Sequence, residues 1–143
     1  CQAAGLDFAH YLLFGGPGET EDTVRESFQL MDELHPTAVI AMTGIRIYPG
    51  TRLYQTALQE GLVAADTDML QPTFYLSPAI RDRLADLVTA EAMQRSNWIV
   101  PGLEVNVSPA MLEAMRSFKV RGPLWKLIKR LGRSHQHPLA GGH

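Results

Sequence analysis

The sequence has a single cysteine in 143 residues, Cys1, so neither an intrachain disulfide nor a multi-cysteine metal cluster can form within it. No run approaches the roughly 18 apolar residues that a membrane-spanning helix needs. Tyr11 to Phe14 and Ala38 to Met42 are strand-sized. Neither the GxxxxGK[ST] phosphate loop nor the GxGxxG dinucleotide fingerprint occurs. Acidic residues are missing after Glu113: Arg116, Lys119, Arg121, Lys126, Lys129, Arg130 and Arg133 stand without a carboxylate and give +7, while residues 1–115 carry all 15 acids against six bases, a net of −9. The C-terminal end is a basic segment on an acidic body.

What is present is ordinary globular material. With 45% hydrophobic and 20% charged residues, disordered, collagenous and low-complexity classes are excluded. A chain of this length fits one domain that buries about two-thirds of its unfolded surface. Cys1-Gln2-Ala3-Ala4-Gly5 reads as the last turn of a helix closed by a left-handed glycine, so the sequence is expected to start within an element. The rival is a processed lipoprotein with a lipid on Cys1. A cytoplasmic location is expected, as no targeting segment or paired cysteines are seen.

Leu6 to Phe14 is mostly apolar on both faces, which predicts a parallel strand covered by helices on both sides. Gly15-Gly16-Pro17-Gly18 ends it. Thr20 is placed as an N-cap, Glu21 and Asp22 sit where carboxylates meet the positive end of a helix dipole, and Val24, Phe28, Met31 and Leu34 follow at helical spacing until Pro36. The pattern repeats: Ala38 to Tyr48 reads as one strand, Pro49-Gly50 as a turn, and Thr51 caps a short helix that runs to Gly61. Two successive βα units predict an α/β fold with a parallel sheet, whose ligands bind at the carboxyl ends of the strands. Residues 64–77 read as a connecting loop, Ser77-Pro78 as the start of a helix running to about residue 95, and Trp98 to Val107 as a linker or an edge strand. Ser108-Pro109 and Gly122-Pro123 open two further helices.

The most informative stretch is Gly15-Gly16-Pro17-Gly18-Glu19-Thr20, where three glycines between a strand and a helix let backbone approach a ligand and aim free N–H groups at it. A tight strand-to-helix turn without a ligand is the alternative. Arg46-Ile47-Tyr48-Pro49 places a bidentate donor and an aromatic at the end of the next strand, against the alternative of a surface arginine and a packing tyrosine. The acidic trio Glu19, Glu21 and Asp22 reads as helix-start chemistry, His10 as a core histidine, and His135, His137 and His143 as part of a mobile tail. The helix Leu124–Leu131 is basic and amphipathic, and the bland reading packs it on its own protein.

The run from Gly5 through Thr20, then Ile45-Arg46-Ile47-Tyr48-Pro49-Gly50-Thr51, Leu53, Ala57 and Glu60-Gly61-Leu62, resembles the later strands of the radical S-adenosylmethionine (SAM) barrel. It is most similar to the branch whose members often carry an N-terminal cobalamin-binding domain. Phe74-Tyr75-Leu76-Ser77 and Arg121-Gly122-Pro123-Leu124-Trp125 resemble C-terminal extensions of that branch. The resemblance implies a C-terminal part of a partial TIM-like (β/α)6 barrel over residues 1–63, a mainly helical extension over 64–133 and a flexible tail over 134–143. It implies that Gly15, Gly16, Pro17, Gly18 and Glu19 line the adenosine or methionine portion of SAM, that Ile47, Tyr48 and Pro49 meet the adenine region, and that Arg46 faces SAM or the substrate.

The sequence departs from the family in lacking the CxxxCxxC loop that holds the [4Fe-4S] cluster. The reading is therefore a fragment of a radical SAM oxidoreductase or methyltransferase-type enzyme, inactive alone. Cobalamin, if used, would be held by an upstream domain. Its expected partners are the N-terminal part of its own barrel, a small-molecule substrate and a second copy of the fragment, with no nucleic acid or membrane expected. The alternative is a stand-alone α/β module whose basic helix meets a protein, lipid or nucleic acid.

Overall fold

The computed structural model describes residues 1–103 together with Val105, Asn106 and Glu113. The helix from Ser108, the basic helix Leu124–Leu131, Arg121–Trp125 and the histidine tail lie outside the described residues.

A single 3-10 turn, Gln2–Ala4, precedes Gly5, whose φ of 65° gives the left-handed close read from the sequence. Strand β1 (Ala9–Phe14) leads through the glycine turn to helix α1 (Glu21–Leu34). Thr20 caps α1 reciprocally: the Thr23 N–H donates to Thr20 Oγ1 at 3.4 Å, and the Thr20 N–H donates to Thr23 Oγ1 at 3.0 Å. The helix stops at Leu34 because His35 is left-handed (φ 46°) and Pro36 cannot continue it.

Strand β2 (Ala38–Thr43) then lies parallel to β1, with Ala9 opposite Ala38 and Phe14 opposite Thr43. The expected single strand from Ala38 to Tyr48 is two. At Gly44 (φ 86°) the chain turns away into β3 (Ile45–Arg46), which belongs to a different sheet, and a Cβ at Gly44 would lie 3.2 Å from the Phe74 Cβ. Helix α2 (Arg52–Gln59) follows, capped by Thr51, whose Oγ1 accepts the Tyr54 N–H at 3.2 Å. The expected loop over 64–77 contains β4 (Phe74–Tyr75), antiparallel to β3, because alternating burial of Phe74 and Tyr75 lets a two-residue strand close the ribbon.

Helix α3 (Leu84–Met93) starts seven residues after Ser77, not at it. The Ser77 hydroxyl is spent on the Glu19 carbonyl instead of on a helix start, and residues 78–83 form turns. Strand β5 (Trp98–Ile99) pairs parallel with β2, which gives a three-stranded sheet in the order β1-β2-β5. Trp98 to Val107 thus resolves, at its start, as an edge strand.

One core holds the sheet to α1 and α3: Phe14, Val24, Phe28, Val39, Ala41, Leu84, Val88 and Trp98 are buried together. Phe28 stacks on Trp98 at 4.1 Å and on Phe14 at 5.6 Å between ring centroids. A second cluster, Ile47, Ala57, Val63 and Tyr75, supports the β3–β4 ribbon against α2, with the Tyr75 hydroxyl donating to Glu60 at 2.7 Å. Burial beside that carboxylate pushes the Tyr75 pKa up to about 12.

The expectation that β1 is covered on both sides is overturned. His10, Leu12 and Phe14 face the helix side, while Tyr11 and Leu13 on the opposite face are 69% and 56% exposed. Met42, the register partner of Leu13, is 44% exposed on that face. A mostly apolar run does not record which of its faces is covered, so the sequence could not assign a helix to each side.

Candidate functional site

The carboxyl ends of β1 and β2 lie side by side. The Gly44 N–H donates to the Phe14 carbonyl at 2.8 Å, and a Cβ at Gly16 would lie 3.4 Å from Ile45 Cδ1. Parallel pairing therefore brings the start of the glycine turn against the residue that precedes Arg46.

Within the turn, Gly15 is buried at φ 99°, a backbone angle that strains any L side chain, and a Cβ there would sit 2.6 Å from the Leu76 side chain and have to displace it. Pro17 and Gly18 are exposed, and Gly18 (φ 78°) has open space where a side chain would be. Glu19 folds its carboxylate back onto the Gly15 N–H, while its own N–H donates to the Gly16 carbonyl at 3.0 Å. Burial raises the Glu19 pKa above the ordinary glutamate value, partly offset by the N–H groups of Gly15 and Gly16. Part of the cradle is thus filled by the turn's own carboxylate, and the side left open is Gly16 to Gly18.

The β3–β4 ribbon has two faces. Ile47 and Tyr75 turn inward and are 2% and 0% exposed, and the Ile47 N–H donates to the Thr73 carbonyl at 2.8 Å. Arg46, Tyr48 and Phe74 turn outward, with the Arg46 guanidinium 5.0 Å from the Tyr48 ring centroid. Pro49 is exposed in the turn that follows. The structure thus brings Gly15 and Gly16 to the start of the ribbon, presents Arg46, Tyr48 and Pro49 to solvent, and commits the Ile47 side chain to the core.

Sequence reasoning missed Ser77, Leu76 and Phe74. Ser77 is 2% exposed; its Oγ donates to the Glu19 carbonyl at 3.0 Å and its N–H to the Gly15 carbonyl at 2.9 Å. A Ser-Pro pair gives the same signal whether the hydroxyl caps a helix or reaches across the fold. Tyr11, Leu13 and Met42 were also missed, as the apolar floor beside the strand ends.

Elsewhere, a cavity of about 300 Å³ between α1 and α3 is lined by Glu21, Arg25, Arg83, Asp86 and Leu87. Its guanidinium groups are answered, Arg83 by Glu21 and Arg25 by Glu91. Among the described residues no group of three or more His, Cys, Asp or Glu side chains could hold a metal ion, and no helix is long and apolar enough to cross a membrane.

No protein-family model matches the sequence, and no curated protein matches it. Among solved structures, the chain is similar to the radical S-adenosylmethionine methyltransferase TsrM from Kitasatospora setae, determined with cobalamin and a [4Fe-4S] cluster bound, at a TM-score of 0.63 and 18% identity. The match covers 94% of this chain and 33% of that protein, so the chain spans about a third of its structural neighbour. At that identity the likeness concerns the fold: the parallel sheet β1-β2-β5 with its helices matches part of a radical SAM-type barrel.

Proposed function

We propose that this chain is part of a radical SAM enzyme of the cobalamin-associated, methyltransferase-like branch, in which the turn Gly15–Glu19 and the segment Arg46–Pro49 form one wall of the SAM pocket. The observation that carries this reading is the asymmetry of the sheet. One face is packed tight by α1 and α3; on the other, Ile40 and Ile99 are buried, but Tyr11, Leu13 and Met42 are exposed, as a barrel strand presents its inner face to a lumen. The fold likeness to a cobalamin- and cluster-bound methyltransferase supports the same conclusion.

The residues present fit a share of SAM. Open glycine backbone at Gly16–Gly18 allows close approach, Leu13 and Met42 offer an apolar floor, and Arg46 supplies a guanidinium for a carboxylate. When bound, SAM supplies the sulfonium whose carbon–sulfur bonds such chemistry breaks. The residues do not fit the [4Fe-4S] cluster: Cys1 is exposed and is the only thiol, and three are needed. The cluster, any cobalamin and the catalytic step belong to the rest of the enzyme, whose location we take to be cytoplasmic.

The reading frame upstream of Cys1 tests the assignment first. A CxxxCxxC loop among further βα units is expected, and a complete frame without one overturns it. In the whole enzyme, Gly18→Val puts a side chain into the open side of the turn and should weaken SAM binding at least tenfold by calorimetry, on the scale of about 1–3 kcal/mol for a strained backbone position. Unchanged affinity would remove the turn from the pocket.

A further inference from the structure

We propose that Ser77 is a positioning residue that ties the glycine turn to the β3–β4 ribbon, so that the two walls of the candidate pocket move as one body. The inference rests on the reading that both segments border one ligand site. Ser77 grips the turn at its first and last residues: the N–H donates to the Gly15 carbonyl at 2.9 Å and the Oγ to the Glu19 carbonyl at 3.0 Å. The side chain is 2% exposed, so water does not compete for the hydroxyl. Its carbonyl accepts the N–H groups of Ile80 and Arg81, both at 3.0 Å, which anchors the grip to the turns before α3.

The other end of the tie is the ribbon itself. Ser77 lies two residues beyond Tyr75, which pairs with Ile45, and Phe74 pairs with Arg46. Leu76, between them, occupies the space that a Gly15 side chain would need. Any shift of the ribbon therefore pulls on both ends of the turn, and any opening of the turn pulls on the strand opposite Arg46. A serine acting only as a helix cap would accept from N–H groups of the next turn, whereas this hydroxyl donates to a carbonyl 58 residues earlier in the sequence.

Amide hydrogen exchange on the chain tests this directly. Ser77→Ala removes the hydroxyl bond and keeps the backbone one, and should speed exchange at Gly15 and Glu19, whose N–H groups donate within the turn, by about five- to tenfold, the loss of one ordinary hydrogen bond. Phe28 and Ala41, in the packed core, should be unaffected, and Ser77→Thr, which keeps a hydroxyl, should restore slow exchange. A uniform rise across the core, or no rise in the turn, overturns the proposal. In the unaltered chain the Ser77 and Glu19 amides must open together, with protection factors within about fivefold; a larger difference also overturns it, whatever the variants do. The two readings part in the whole enzyme: a Ser77→Ala turn that exchanges faster while SAM affinity is unchanged keeps the tie and removes the turn from the pocket.

Discussion

Glu19, just before α1, and Asp32, near its end, are carboxylates placed in opposite environments. Glu19 is drawn into its own turn, and burial lifts its pKa above the ordinary 4.5. Asp32 receives both prongs of Arg95, Nε to Oδ1 at 2.8 Å and Nη2 to Oδ2 at 2.7 Å, and this hydrogen bonding holds its carboxyl below the ordinary 3.8. The signs of their contributions to stability are therefore opposite. Between 4.5 and the raised Glu19 value the folded chain keeps a proton that the unfolded chain has released, so the Glu19 contribution falls as pH rises through that window and is constant above it. The Asp32 contribution is fully present above 3.8 and is lost as pH falls through its lowered value. Urea unfolding across the acid range checks both. Glu19→Gln should flatten the decline on the rising side and Asp32→Asn should flatten the loss on the acid side, each leaving the other's slope in place.

At the scale of elements, the join between sheet and helices depends on one aromatic column. Phe28, 1% exposed, sits in α1 between Trp98 of β5 and Phe14 of β1, so a single side chain from a helix holds rings from both edge strands. Phe28→Ala should cost about 3–5 kcal/mol in urea unfolding, as large aromatic truncations in a packed core do. Tyr48→Ala, which removes a half-exposed ring from the outer face of the ribbon, should stay within about 0.5 kcal/mol. Equal losses would show that the column is not what joins the elements. Much of this was legible in the sequence. The β1–turn–α1 unit, the Thr20 cap and the buried stripe Val24, Phe28 and Met31 follow from period and capping chemistry, and they stand in the structure. The break at Gly44 was not legible, because Ala38 to Tyr48 is β-rich on both sides of its one glycine, which looks like a weak strand position until Phe74 is seen packed over it. The Ser77 grip and the third strand at Trp98 depend on partners far away in sequence, which local periodicity does not carry.

For the whole molecule, the face of the sheet opposite the helices is partly bare among the described residues: Ile40 and Ile99 are buried there, while their neighbours toward the β1 edge are not. Tyr11, Leu13 and Met42 lie on the face opposite the helices, and among the described residues β1 is an edge of the sheet with β2 as its neighbour. Because the Phe14 carbonyl is directed at Gly44, the alternate residues Ala9, Tyr11 and Leu13 direct their backbone groups toward the free edge, beside the same apolar side chains. An unpaired parallel edge flanked by apolar surface is a template for another strand. The chain by itself should therefore self-associate through the micromolar range in sedimentation or light scattering. Tyr11→Lys with Leu13→Lys should return it to monomer with its circular dichroism intact, since neither side chain belongs to the core around Phe28. If the proposed reading holds and a strand-bearing portion precedes this chain, that portion supplied in trans should replace self-association with a one-to-one complex, because its strand would take the edge that a second copy otherwise takes. A chain that stays monomeric at every concentration would mean that this face does not seek a partner, and it would remove the main support for placing β1 inside a larger barrel.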